Sequence, residues 1–180
     1  MRTLKLFSAV FLALFVFTSC EKEATSQLVF FSKDQLKKEL TVNIDNTEGV
    51  TVPINSNAVI NLNSSKVFKD NLDYLKDIEV ESFNFKLKNF VINPDSKVSN
   101  IEVYVDEIKI TGNDISLDFL SLFSSGFEFK ISNQEILSTI ASKLLQKKQI
   151  VVSYYSDAVS DKIFNFDLEF NISTKGTFVD

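Results

Sequence analysis

The chain has no histidine and no tryptophan, and only one cysteine, one methionine, two prolines and four glycines among 180 residues. Each shortage removes a class of chemistry. Without histidine, a Ser-His-Asp triad, a Cys-His pair and a His-containing zinc site cannot be built. With Cys20 alone, there is no disulfide framework, thiolate cluster or CxxC redox couple. Arg2 is the only arginine, so the rest of the chain lacks the planar two-pronged clamp for phosphate or carboxylate, and lysine offers point charges instead. The scattered glycines give no phosphate-cradling loop, and the Ser-x-x-Lys spacing of serine-lysine acyl enzymes occurs only from Ser19 to Lys22. No cofactor and no metal centre follow from this alphabet.

What is present begins with an address. Arg2 and Lys5 precede an almost unbroken apolar run from Leu6 to Phe17, followed by the small residues Thr18 and Ser19. That is the layout of an export signal, and the run is well short of the roughly 20 residues a helix needs to span a bilayer. Removing residues 1–19 leaves 17 lysines against 24 acids, a net charge of −7, which disfavours nucleic acid as a partner. The stretch Phe17-Thr18-Ser19-Cys20 resembles the lipobox of bacterial lipoproteins. The resemblance covers the leader only and departs from the commoner pattern at Phe17, where leucine is usual. It implies cleavage between Ser19 and Cys20, lipidation of Cys20 and attachment to the outer membrane, on its periplasmic or cell-surface side. Residues 20–27 then read as a lipidated cysteine and a polar tether. The Cys-Glu-Lys-Glu start is similar to the acidic export tags of Bacteroidota surface lipoproteins, with Ala24 where those tags place a second acid.

The body, residues 28–180, is written mostly at period two. Phe164, Phe166, Leu168, Phe170 and Ile172 alternate with Asn165, Asp167, Glu169 and Asn171, the signature of a strand with one face in a core and one in water. Shorter alternations occur at Leu40-Val42-Ile44, Val50-Val52-Ile54, Phe83-Phe85-Leu87 and Ile101-Val103-Val105. Turn residues punctuate them at Asp45 to Gly49, Asn93-Pro94-Asp95, Thr111 to Asp114 and Ser124-Ser125-Gly126. The apolar phase changes between Val80 and Phe83 and between Val105 and Ile108, which calls for a bulge or a strand crossing between sheets. Two helices are predicted. One follows Ser132-Asn133-Gln134-Glu135, whose spacing makes Ser132 the cap, with Ile136, Leu137, Ile140 and Leu144 on one stripe and Lys143, Lys147 and Lys148 near its C-terminal end. The other runs from about Ser65 to Asp77 with Phe68, Leu72 and Leu75 on one face. The expected fold is mainly β: a single antiparallel β-sandwich, a two-layer immunoglobulin-like body of about eight strands with two short helices.

Three functions fit this alphabet. The leading one is a lipid-anchored envelope lipoprotein, a non-enzymatic binding or structural accessory to an envelope protein partner. It joins the membrane through Cys20, and Leu117, Phe119, Leu120 and Phe123 form its possible partner patch. The second is a carrier of apolar ligands in a cavity lined by some of the 14 phenylalanines that follow Cys20; core filling uses the same residues. The third is a carboxylate-dependent hydrolase using Asp114 with Asp118 or Asp157 with Asp161. Asp45, Asn46, Glu48 and Gly49 read as a turn before a calcium loop, since they miss the Asp-x-Asp-x-Asn-Gly register. Lys86 and Lys88 read as the wet side of a strand before a nucleic-acid face.

Overall fold

The computed structural model describes residues 28–90, 96–111 and 128–180. The order is β1 (Val29–Ile44), β2 (Val52–Asn61), a short 3-10 turn (Leu62–Ser64), α1 (Lys66–Asp70), a second 3-10 turn (Leu72–Tyr74), β3 (Leu75–Lys88), β4 (Lys97–Val105), β5 (Ile108–Lys109), β6 (Glu128–Ile131), α2 (Gln134–Lys147), β7 (Gln149–Val159) and β8 (Phe164–Val179).

The strands form two four-stranded antiparallel sheets, ordered β1-β8-β3-β6 and β2-β7-β4-β5. First pairs with last, second with second-last, third with sixth and fourth with fifth. A long antiparallel ribbon wound on itself makes that pattern, and the added pairings β3 with β8 and β4 with β7 close the winding into two sheets. This is the strand order of a jelly roll, one of the ways in which antiparallel proteins limit their edges. The layered sandwich and the two helices are as the residue pattern predicts. The likeness to immunoglobulins is one of layering, because among the described strands only the step from β4 to β5 stays within a sheet.

Burial explains why these residues make these strands. Even-numbered residues of β8 from Phe164 to Phe178 face the core, and odd-numbered ones line the outer face. β1 matches it in phase, with Leu36, Leu40, Val42 and Ile44 buried, and the two strands pair without a slip from Val29–Val179 to Ile44–Phe164. Buried leucine, isoleucine, valine and phenylalanine side chains from both sheets make one continuous core. Each fully buried side chain of this kind contributes roughly 1.5–3 kcal/mol.

The first phase change is a bulge: the register of β3 on β8 shifts between Val80 and Ser82. The second is neither a bulge nor a crossing. Asp106 and Glu107 form a two-residue turn in which Asp106 takes a left-handed φ of 52°, and Val105 pairs with Ile108 across it. A further irregularity, between Ser99 and Glu102 of β4, has Asn100 at φ 54°. Val50 is exposed and lies outside β2, in a turn where its N–H donates to the Thr47 carbonyl at 2.9 Å.

Both helices need correction in detail. The cap of α2 is Asn133, whose Oδ1 accepts from the N–H groups of Glu135 at 2.9 Å and Ile136 at 3.3 Å. Ser132 stands one residue too early for the role its spacing predicts. Leu137, Ile140, Ala141 and Leu144 form the buried stripe, and Lys148 ends the helix at φ 60°. The other predicted helix stops at Asp70 rather than Asp77. Ser65 caps α1, accepting from the Phe68 N–H at 3.3 Å, and the chain enters β3 at Leu75, because pairing with β8 claims the residues that helical spacing assigned to a third turn.

Candidate functional site

The described surface offers two features able to meet a partner: a groove beside α2 and an apolar tip at the start of β1. The polar outer face of the β1-β8-β3-β6 sheet has groups mostly tied to one another.

On that outer face, Glu169 stands between two lysines of the neighbouring strand. Lys88 bonds it directly and Lys86 approaches at 3.0 Å, with Asn171 donating at 3.3 Å. The Lys88 ammonium first, then that of Lys86, holds the Glu169 carboxyl down to about 2. Lys86 and Lys88 therefore do lie on the wet side of a strand, where they neutralise an acid of the same sheet. Beside them Asp167 is buried and accepts from Thr41 Oγ1 at 2.7 Å and Asn89 Nδ2 at 2.5 Å. Further along the sheet Lys33 bonds Glu81, and Lys175 approaches Glu79 at 3.7 Å. A shallow hollow of about 420 Å³ is lined there by Lys33, Asp34, Gln35, Glu81, Ser173 and Thr174.

The groove arises because β6 is short. It pairs with Phe83 to Lys86, so among the described residues the first half of β3 has no strand on that side, and α2 lies there instead. The resulting hollow, about 460 Å³, is walled by Asp77, Ile78, Glu79 and Val80 of β3 and by Gln134, Ser138, Ala141, Ser142 and Leu145 of α2. Small α2 side chains at helical spacing hold the wall back and leave the strand edge reachable. Asp77 turns its carboxylate to the Ile78 N–H at 2.9 Å. The spacing Ser138-Ala141-Ser142 is visible in the sequence; that it faces an uncovered strand is not.

The far end of α2 is bound to the β4–β5 turn through Asp106. Its carboxylate accepts from the Val151 N–H at 3.0 Å and lies 3.3 Å from Lys147 Nζ and 3.6 Å from Lys143 Nζ. Burial opposes its ionisation, but the Val151 N–H and the two ammonium groups outweigh that and keep the carboxyl below its ordinary value. Lys143 and Lys147, which sequence assigns to the helix dipole, thus also serve an ion cluster.

The sequence-predicted sites divide into two groups. Ser19, Cys20, the patch Leu117, Phe119, Leu120 and Phe123, and the pair Asp114 and Asp118 lie outside the described residues, as do the turns at Asn93 to Asp95 and Ser124 to Gly126. Asp157 sits on β7 and accepts from Asn100 Nδ2 at 2.6 Å, while Asp161 follows in the bend before β8. The turn Asp45 to Gly49 folds on itself: Asn46 Oδ1 accepts from the Glu48 N–H at 2.8 Å, and Glu48 and Gly49 take φ 54° and 78°. No cluster of three or more His, Cys, Asp or Glu is found among the described residues. The phenylalanines meet one another in the core, Phe83 with Phe170 at 6.2 Å, Phe85 with Phe170 at 5.6 Å and Phe68 with Phe178 at 5.8 Å. None lines either hollow. Tyr154 points into that core, where burial pushes its ionisation up and keeps the phenol neutral.

The apolar tip was not legible as such. Leu28, Val29, Phe30 and Phe31 are 68%, 52%, 39% and 64% exposed. Four consecutive apolar residues break the period-two rule, which is the signal that marks them.

No family model and no curated protein matches the chain. Among solved structures, it is similar to a decameric BFDV capsid protein at TM-score 0.48 and 9% identity, over 82% of this chain and 99% of that one. A Desmodium yellow mottle tymovirus chain aligns at TM-score 0.33 and 9% identity, over 89% of this chain and 93% of its own. The fold assignment rests on this chain's own strand order, and neither likeness carries an argument about function.

Proposed function

We propose that this protein is a lipid-anchored module of the cell envelope, joined to the outer membrane through Cys20 and acting as a non-enzymatic binding or structural accessory. One observation carries the reading. The chain's single thiol stands at the end of an export-type leader, eight residues before the first residue of the sandwich.

Three structural features support it. The first and last strands pair along their whole length, and the Asp180 N–H donates to the Leu28 carbonyl at 3.1 Å, so the tether enters and the chain ends at one tip of the body. Glu169, Glu81 and Asp106 are paired with lysines, Asp157 and Asp167 accept from neighbouring side chains, and ring-on-ring packing of phenylalanine favours a solid module over a carrier of apolar ligands. The groove between β3 and α2 is the hollow best placed to receive an envelope protein partner, because an uncovered strand edge offers backbone N–H and C=O groups to an incoming segment.

The test is made on the anchor. Labelled palmitate and intact mass are compared between the wild-type chain and Cys20→Ala, with expected loss of both the label and the acyl mass in the variant. Equal labelling refutes the reading. Protease shaving of intact cells then reports the side of the membrane, and pull-down with the wild-type chain against a Ser138→Arg/Ser142→Arg variant asks whether the groove holds the partner.

A further inference from the structure

We propose that the tip formed by Leu28, Val29, Phe30, Phe31 and Tyr74 rests at headgroup depth on the membrane that holds Cys20, an inference that rests on the lipid-anchor reading. The body would then stand on that surface by one end of the β1-β8-β3-β6 sheet rather than tumble on its tether.

The pattern of the residues is the first ground. Further along β1 the buried apolar residues, Leu36, Leu40, Val42 and Ile44, share one face, but Leu28 to Phe31 are apolar on both faces of the strand and all remain exposed. Phe30 stacks on Phe178 at 4.9 Å and 11°, while Phe31 is on the opposite face with Lys175 Nζ 5.6 Å from its ring centre. A run of exposed apolar residues works against a soluble body unless something covers it. Tyr74, 46% exposed, joins the same end, because Phe30, Phe178 and Leu75 stand in one row across β1, β8 and β3.

Position supplies the second ground and identifies what covers the tip. Seven residues, Glu21 to Gln27, separate Cys20 from Leu28, and the eight steps along the chain reach at most about 30 Å even when fully extended. The acyl chains on Cys20 thus keep this tip near the bilayer. At the opposite end of β8, Ile44 pairs with Phe164 beside Ile163, which is 75% exposed. That end lies about 50 Å further along the strand.

Depth follows from the backbone. Among the described residues β1 has a strand partner on one side only, and an open sheet edge does not enter hydrocarbon, where its polar groups find no partner. Aromatic residues instead settle at the headgroup level, where water still reaches the edge. Charge near the tip is of both signs, with exposed Lys66, Lys69 and Lys76 beside Asp70, Asp73, Asp77 and Asp180. The contact is therefore apolar in origin and largely indifferent to salt.

The absence of tryptophan makes the test clean. The full lipidated chain carrying Phe31→Trp, and separately Ile163→Trp as the far-end control, is reconstituted into phosphatidylcholine vesicles brominated either near the headgroup end or near the methyl end of the acyl chain. The expected result is blue-shifted emission for Phe31→Trp, quenched more by the shallow bromines than by the deep ones, and water-like unquenched emission for Ile163→Trp. Unquenched emission from Phe31→Trp overturns the inference. So does a blue shift without bromine quenching in a chain that sediments as a dimer, which would assign the tip to a second copy. Intact mass of the same samples reports acylation independently. If Cys20 carries no lipid, the unacylated chain is mixed with the vesicles: the anchor reading has then failed, and quenching or its absence still decides the tip. In that setting Phe30→Ser/Phe31→Ser should weaken vesicle partitioning about tenfold or more.

Discussion

Replacing Gly176 by alanine separates a rule of composition from the geometry of this core. Glycine inside a strand costs roughly 0.5–1 kcal/mol relative to alanine, so propensity alone predicts that Gly176→Ala stabilises the protein. The structure predicts the reverse. A Cβ at this position would stand 2.7 and 2.8 Å from Phe178 Cε2 and Cζ and 2.8 Å from Phe68 Cε1. Both rings are fully buried and pack on each other, so neither can swing into solvent, and relief requires both that the Phe178 ring shift along β8 itself and that β8 move away from Phe68 of α1. Overpacking of this kind costs about 1–3 kcal/mol, and three contacts near 2.8 Å put it at the upper end. After subtracting the propensity gain, the net loss is about 2 kcal/mol. For a chain of this size that lowers Tm by about 4–8 °C. Urea unfolding with unchanged m-value, alongside a thermal melt, measures it. In a Phe178→Leu background the contact is partly relieved, and the cost of Gly176→Ala should fall by about 1 kcal/mol. A Gly176→Ala protein as stable as wild type, or additive behaviour with Phe178→Leu, would refute the steric account.

Two further outcomes test the surface. Because Glu169 is held below its ordinary value near 4.5, its pairing with Lys88 and Lys86 stabilises the fold fully above pH 4.5 and loses that contribution as pH falls toward 2. The group is partly solvated, so the contribution is about 1 kcal/mol. Urea midpoints should thus fall more steeply over that interval for wild type than for Glu169→Gln, and parallel curves would contradict the pairing. At the start of α2, Asn133→Ala should cost about 1 kcal/mol through loss of the cap, while Ser132→Ala should cost little, as read from thermal melts; the opposite order would restore the capping-box spacing.

How far the residues speak for themselves depends on the range of the interaction. Alternation in β8, the apolar stripe of α2 and the phase change after Val80 are all local, and each has its counterpart in a strand, a helix and a bulge. The error at Ser132 is also local: adjacent Ser and Asn both suit a cap, and backbone direction after β6 chooses Asn133. The shortened α1 has another cause, since Leu72 and Leu75 satisfy helical spacing and strand pairing alike until β8 is in place.

Chemical alphabet and periodicity by themselves determined which catalytic devices are excluded, that the body is a two-layer antiparallel sandwich, and where most strands and one long helix lie. Tertiary structure decided which strands are neighbours, and with that the jelly-roll order, the groove left by short β6, the tight seat at Gly176 and the apolar tip at the start of β1. The reason is physical. Inward and outward faces are fixed by side chains two residues apart, whereas the partner of a strand is chosen by packing across the whole chain, and a period-two pattern is the same whichever neighbour it meets.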